Sequence, residues 1–428
     1  MKKIAIFGLL LTVIFTFCVF AGGQQEGSGE AVVLEWWDPD VREDWIKATQ
    51  YVLDNFKEES GITIERINVG WNDIDKKMQA AAASNTLPDL AYAFHNYHSA
   101  WAFQGHTIPL DDVLNEIGRD KFYQPHLGMA TVDGKTYAVP FEFHPHIVYY
   151  RKDLYDKYGL SVPKTWDEMY QNAKTIHDEE EGVYGFMVYN GPGNPYVLID
   201  LMGANGAATF DKNGNVIIDS PETIEALEYE KKLIELSPPG SLQKSSSDLR
   251  LPFVTGQGGH MMDSTSLAGI VYSENKIDQF GAFPCPVNNG NRGAMNDYGG
   301  WVVTRQAPEK AAKQFLNFFF QEDQFMYYGK YEVIGHIPAT KTVAESEEYL
   351  EFERIKPFRG IFEAAIDAAQ NGVGLGMTNG PNRYTGVVRS QDIWVNMVNR
   401  MVLKGESAES VSEWAQEEIE KIKKDIDG

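Results

Sequence analysis

Residues 31–94 read AVVLEWWDPDVREDWIKATQYVLDNFKEESGITIERINVGWNDIDKKMQAAAASNTLPDLAYAF, and two hydrophobic periods alternate along them. Val32, Val33 and Leu34 form a short apolar run, the mark of a buried strand in a parallel sheet. Trp45, Ala48, Val52 and Phe56 recur at helical spacing, and Gly61 stands where a helix stop belongs. Ile62 and Ile64 alternate in a second strand, residues 73–84 form an alanine-rich helix, and residues 89–94 read as a third strand. This strand–helix–strand–helix–strand order predicts a parallel sheet with helices on both faces.

The same alternation continues outward. Residues 137–150 are strand-like, 166–176 helical and 184–189 strand-like. Asn213-Gly214 between the apolar ends Phe210 and Val216 is a hairpin signal. Ser220 is placed to cap a helix that has Pro221 in its first turn. Further helices are expected at residues 308–320 and 407–424. A chain of 428 residues can build two cores, and two α/β lobes are the natural reading.

Lys2 and Lys3 precede an apolar or small-residue run over residues 4–20, and Val19-Phe20-Ala21 offers a cleavage point. Residues 1–21 therefore read as a secretory signal peptide and 22–30 as a flexible linker. Plain cleavage is favoured over lipid attachment at Cys18, because Phe17 fills the place where lipoprotein signals carry a small residue. The destination is periplasmic or extracellular. The only other cysteine, Cys285, lies between Pro284 and Pro286 and reads as core packing. A net charge of −23 repels phosphate backbones, so nucleic acid is excluded as a partner.

Several ordered segments carry a family resemblance. Residues 133–176 read DGKTYAVPFEFHPHIVYYRKDLYDKYGLSVPKTWDEMYQNAKTI. To these add Leu87-Pro88-Asp89-Leu90, residues 108–112 (IPLDD), residues 256–263 (GQGGHMMD), Gly299-Gly300-Trp301 and residues 335–339 (GHIPA). Together they resemble the extracellular solute-binding proteins of family 1, the sugar receptors of ABC importers. The resemblance implies a two-lobed periplasmic-binding-protein fold of class α/β, with discontinuous lobes joined by crossing strands. Lobe one would hold residues 31–141 and 297–333, and lobe two residues 142–296 and 334–428. It also implies a monomer that closes about a hinge on a sugar, probed from outside by the importer's membrane subunits, with no catalysis and no cofactor.

A sugar needs rings for its C–H faces and paired donors and acceptors for its hydroxyls, and such ligands lie beyond the carboxyl ends of the strands. The residues expected there are Trp37 and Asp38, Trp71 and Asn72, His95 and Asn96, Glu142 and His144 at the first crossing, Asp263, Tyr298 and Trp301 at the second, and Arg383 in a glycine-rich loop. Core packing is the competing explanation for each aromatic. Three rival chemistries compete with this reading. His144 with His146, or His95 with His98, could bind a metal, although no zinc motif is present and no metal is expected. Asp211, Asn213, Asn215, Asp219 and Glu222 sit at EF-hand-like positions, but Val216 stands where that loop needs glycine. Glu142, Asp263 and Asp297 could supply the carboxylate pair of a secreted carbohydrate hydrolase.

Overall fold

The computed structural model describes residues 32–71, 73–94, 96–289 and 293–428. The signal-peptide and linker expectations, and those for Asn72 and His95, lie outside the described residues. No helix among the described residues is long and apolar enough to cross a membrane.

Strands β1 (Val33–Asp38), β2 (Thr63–Asn68) and β3 (Leu90–Ala93) are parallel, with β1 in the middle. The helix Glu43–Ser60 between the first two buries Trp45, Ala48, Val52 and Phe56 and ends on Gly61 at φ 73°. Strand β1 departs from the expected continuous run. Val32 and Val33 are exposed, while Leu34, Trp36 and Asp38 are buried alternately, so one face of the strand packs and the other is open.

A hairpin of β4 (Thr131–Val132) and β5 (Lys135–Thr136) turns at Asp133 and Gly134, both at positive φ. That Asp-Gly pair supplies the two left-handed residues a type I′ turn requires. The chain then enters β6 (Val139–Arg151), a strand of 13 residues. The remaining strands are β7 (Tyr184–Phe186), β8 (Gly258–Ser264), β9 (Phe280–Phe283), β10 (Asn296–Val303) and β11 (Ile337–Pro338). Strand β7 is shorter than the expected 184–189.

Strand β6 organises the molecule, because its two halves belong to different sheets. Residues 139–145 pair antiparallel with β10, and Glu142 and Phe143 pair on the other side with β11. Residues 146–150 pair antiparallel with β8, and residues 148–151 with β9. Strand β10 joins β3 to β6, so the order runs β2-β1-β3-β10-β6-β8-β7. The first sheet carries the helices Glu43–Ser60, Glu309–Phe319 and Glu322–Tyr331, packed on one another. Early and late segments thus share one lobe. Helix Trp166–Glu179 packs on β7 and β8, and Pro221–Glu235 packs on Tyr196–Ala204 and Ala408–Asp427. Ser220 caps Pro221–Glu235 by accepting from Thr223 N at 3.2 Å, as its sequence suggested.

Candidate functional site

The alternation of β6 puts Glu142, His144 and His146 on one face, at the point where the strand passes from one sheet to the other. A cavity of about 470 Å³ opens over this point. From the first sheet it takes Arg42 after β1, Trp71 after β2, and Tyr92 and Phe94 at β3. From the other side come Tyr196, Arg250, and Asp263 and Ser264 at the end of β8. His144, His146, Asp297 and His336 line the strands between. A larger hollow of about 690 Å³ lies near Phe56, Ile117 and Phe318, but lysines and glutamates rim it and no strand end faces it.

The charges in this first cavity are paired within the protein. Arg250 grips Asp263 with two bonds, Nε to Oδ2 at 2.7 Å and Nη2 to Oδ1 at 2.8 Å. His146 Nδ1 lies 2.7 Å from Asp200 Oδ2, and Asp200 Oδ1 accepts from Met295 N at 2.8 Å. Burial opposes a charged His146, but the Asp200 carboxylate outweighs it and raises the imidazole pKa. Arg42 is held by Asp40 and donates to His336 Nε2 at 3.0 Å. A guanidinium only donates, so Nε2 accepts and Nδ1 carries the proton, which bonds Glu142 and reaches Glu332 at 2.9 Å. Burial works against the Glu142 carboxylate, yet His336 and its hydrogen bonds hold its pKa below the usual range. Glu332, buried beside it, has its pKa pushed well up by burial and by the Glu142 charge.

Glu142, His144 and His336 bring potential metal-ligand atoms within 4.8 Å of one another. The set fits a cation poorly. His336 spends Nε2 on Arg42 and Nδ1 on Glu142, and the Arg42 charge stands beside the would-be ligands. The calcium alternative also gives way to the hairpin, since Asp211 Oδ1 accepts from Asn213 N and Asn215 N at 2.8 Å and Phe210 bridges Val216.

A second cavity, of about 550 Å³, adjoins the first. Arg389 lines it and donates to the hydroxyl of Tyr196, which lines the first, at 3.3 Å. Asp75, Asn96 and Tyr97 face Gly193, Asn382, Arg383 and Asp392 across it. Tyr97 is stacked on Trp101 with ring centroids 5.4 Å apart.

The expected site residues divide between these cavities and the core. Trp71, His144 and Asp263 line the first cavity, Asn96 and Arg383 the second, and Glu142 is buried among the residues bonding His336. Trp71 is 38% exposed and stands edge-on to Tyr92 and Phe94, at 5.4 and 5.1 Å. Trp37 is half-buried and donates its indole N–H to Glu35 at 2.5 Å, away from both cavities. Asp38 is an internal anchor instead. It accepts from Trp45 Nε1 at 2.7 Å, pairs with Arg66, and has its pKa pushed up by burial to about 6.

Tyr298 and Trp301 are corrected. Every residue of β10 is buried, because the strand lies between β3 and β6 with both faces covered. Tyr298 stacks on His98 at 4.3 Å, and Trp301 packs 4.4 Å from Trp36 among Phe141, Phe315 and Phe319. The glycines before Trp301 serve packing, not a ligand. A Cβ on Gly299 would lie 2.4 Å from the Tyr92 hydroxyl and 2.6 Å from Glu142 Oε1. The sequence reading missed Arg42, Tyr196, Arg250, His336 and Arg389. Each is identified by a partner distant in the chain, such as Arg42 with His336, and no local period marks it.

Comparison with known proteins agrees with this architecture. Residues 41–324 match the family model for bacterial extracellular solute-binding proteins. The maltodextrin-binding protein of Bacillus subtilis is 24% identical over 313 residues, covering 70% of this chain and 72% of its own length. Maltose-bound T. maritima MalE3 superposes with a TM-score of 0.73 at 24% identity, over 92% of this chain and all of that one. An ABC transporter solute-binding protein of Thermotoga lettingae, bound to α-D-tagatose, gives 0.75 at 20% identity, over 91% of this chain and 99% of that one. With the two-sheet fold and the cavity at the shared strand, these matches place the chain in the bacterial extracellular solute-binding protein family.

Proposed function

We propose that this protein captures a saccharide, an oligosaccharide in particular, between its lobes and presents it to the membrane subunits of an ABC importer. One observation carries this reading. The cavity over β6 combines partly exposed rings, Trp71 and Tyr196, with hydrogen-bonding groups already fixed by partners, Arg250–Asp263 and His146–Asp200. Rings accept the C–H face of a sugar, and fixed polar groups bond hydroxyls without having to reorganise. The sugars bound by the family relatives support the same class of ligand.

The two halves of β6, with the returns at β10 and near Ile334, are the hinge of this proposal, and residues 31–141 and 142–296 the main bodies of the lobes. Ligand contacts come from both sides, so closure completes the site. The protein works as a secreted monomer, released outside the cytoplasmic membrane by the basic and apolar signal of residues 1–21. Binding without chemistry is supported by the carboxylates. Both oxygens of Asp263 are held by Arg250, and Glu142 is bonded by Tyr92 and His336, which leaves neither poised as a hydrolase acid.

A thermal-shift screen of mono- and oligosaccharides on the mature protein tests the reading. A ligand at a hundred times its Kd stabilises by about 2.7 kcal/mol, a readily measured rise in Tm. Hits confined to amino acids, peptides or metal ions would overturn the proposal, and so would consumption of the sugar by the purified protein.

A further inference from the structure

We propose that the second cavity receives an anionic group of the ligand, so that the captured saccharide is an acidic one, bearing a carboxylate or a phosphate. This rests on the reading of the cleft as a saccharide site. The observation is a contrast among arginines. Every other described arginine except Arg305 lies within 4.0 Å of an aspartate or glutamate oxygen, from Arg42 with Asp40 to Arg400 with Glu406. Arg305 is spent on the carbonyl of Gly105 at 2.8 Å and on His106. The two arginines left without a carboxylate, Arg383 and Arg389, line the same cavity. In a chain with a net charge of −23, carboxylates are plentiful, and leaving both of these guanidinium groups unmatched here sets the cavity apart.

The rest of the wall is polar as well. Arg389 is half-buried, and its one hydrogen bond, to the Tyr196 hydroxyl, is long at 3.3 Å, which leaves most of its five donors free. Asn96 is 5% exposed, and its Oδ1 has no hydrogen-bond partner among the described residues. Asn382 accepts from Tyr384 N and Thr385 N through Oδ1, while its buried Nδ2 has no partner among the described residues. The unmet Asn382 Nδ2 is a donor that an anionic oxygen would satisfy, while the unmet Asn96 Oδ1 only accepts and suits a sugar hydroxyl beside it. Two carboxylates also line the cavity; each is bonded by a neutral donor and keeps its charge, so the anionic group is received on the Arg383 and Arg389 side. Asp75 accepts from Trp101 Nε1 at 2.8 Å, and Asp392 accepts from Gly193 N at 2.8 Å. An arginine fork matches a planar carboxylate or a phosphate, and such charge-assisted bonds are about twice as strong as neutral ones.

Calorimetry on the mature protein tests this with uronic-acid oligosaccharides, their methyl esters, sugar phosphates and neutral oligosaccharides. The ester keeps the sugar and removes the charge. The expected result is that an acidic sugar binds at least about tenfold tighter than its neutral counterpart, the scale of one hydrogen bond to a charged group. In Arg389→Gln that ratio should fall toward one, with the melting temperature of the unliganded protein retained. Uronates and sugar phosphates separate the two sources of the charge, and preference for either supports the proposal. Tight binding of neutral sugars with no acid preferred would overturn it and leave the saccharide reading standing. So would an Arg389→Gln protein that weakens acid and neutral forms equally. Binding of no saccharide at all would remove the saccharide reading itself, and this inference with it.

Discussion

The two cavities differ in how their charges are arranged. Around β6 the protein neutralises its own groups: Arg250 with Asp263, His146 with Asp200, and Arg42 with Asp40. Around Arg383 and Arg389 it leaves cations unmatched. The first arrangement offers a ligand fixed dipoles and costs the folded state a buried network that must be complete. The second offers guanidinium donors that no carboxylate holds, beside two aspartates bonded by neutral groups, and asks little of the fold. The contrast teaches that a polar residue lining a cleft can belong mainly to stability or mainly to recognition, and that pairing tells the two apart.

The sharpest way to break the contrast is to remove one partner from the paired cavity. Asp263 has a side chain 1% exposed, and Arg250 one 20% exposed. Asp263→Asn leaves a largely buried guanidinium without its anion, a loss expected to cost about 3–5 kcal/mol in a denaturant melt. Arg389→Gln should stay within about 0.5 kcal/mol of the parent, as changes away from buried networks do. Equal losses in the two variants would mean that pairing is not what separates the cavities.

A second test probes how deep the paired network runs. Glu230, on the helix Pro221–Glu235, is fully buried, its oxygens have no hydrogen-bond partner among the described residues, and its pKa is raised by burial and by the Asp200 charge from 4.5 to about 8. An acid raised in this way keeps its proton in the folded state after the unfolded chain has lost it. The folded state then binds more protons, so stability falls as pH rises from about 4.5 through about 8. At about 1.4 kcal/mol per pKa unit, the fall amounts to a few kcal/mol. Glu230→Gln should melt close to the parent at pH 5 and well above it at pH 9. Parallel pH curves for the two proteins would place Glu230 outside the network.

The division also explains what could be read in the chain beforehand. The parallel strands β1 to β3, the helix with Trp45, Ala48, Val52 and Phe56, and the hairpin at Asn213-Gly214 are local patterns, written in periods of 3.6 or 2 and in turn chemistry. The crossing at β6 came from a resemblance carried by an ordered set of motifs. The site was legible only where a residue follows a strand and precedes a loop, as Trp71 does. Trp301 satisfied the same argument and failed, because a strand covered by neighbours on both edges and packed on both faces has no open side, and sequence spacing does not reveal it. Arg250 was invisible for another reason, since its meaning lies in a carboxylate reached only through the fold.

Trp71 provides the finest test, because it lines the paired cavity without belonging to the network. Its ring meets Tyr92 and Phe94 at their edges, and among the described residues it takes no part in the ion pairs around it. A side chain 38% exposed leaves little void when truncated, so Trp71→Ala should cost under about 1 kcal/mol of stability. If the ring carries the C–H face of a sugar, the same change should weaken binding by about 1–3 kcal/mol, the range of aromatic stacking contacts. The fully buried Trp301 should show the reverse, with about 3–5 kcal/mol of stability lost on conversion to alanine. Paired calorimetry and denaturant melts on Trp71→Ala read both quantities. Unchanged affinity with the saccharide identified by the screen would show that the ligand sits against the fixed polar groups alone, and would leave Tyr196 and Tyr97 as the rings that hold it.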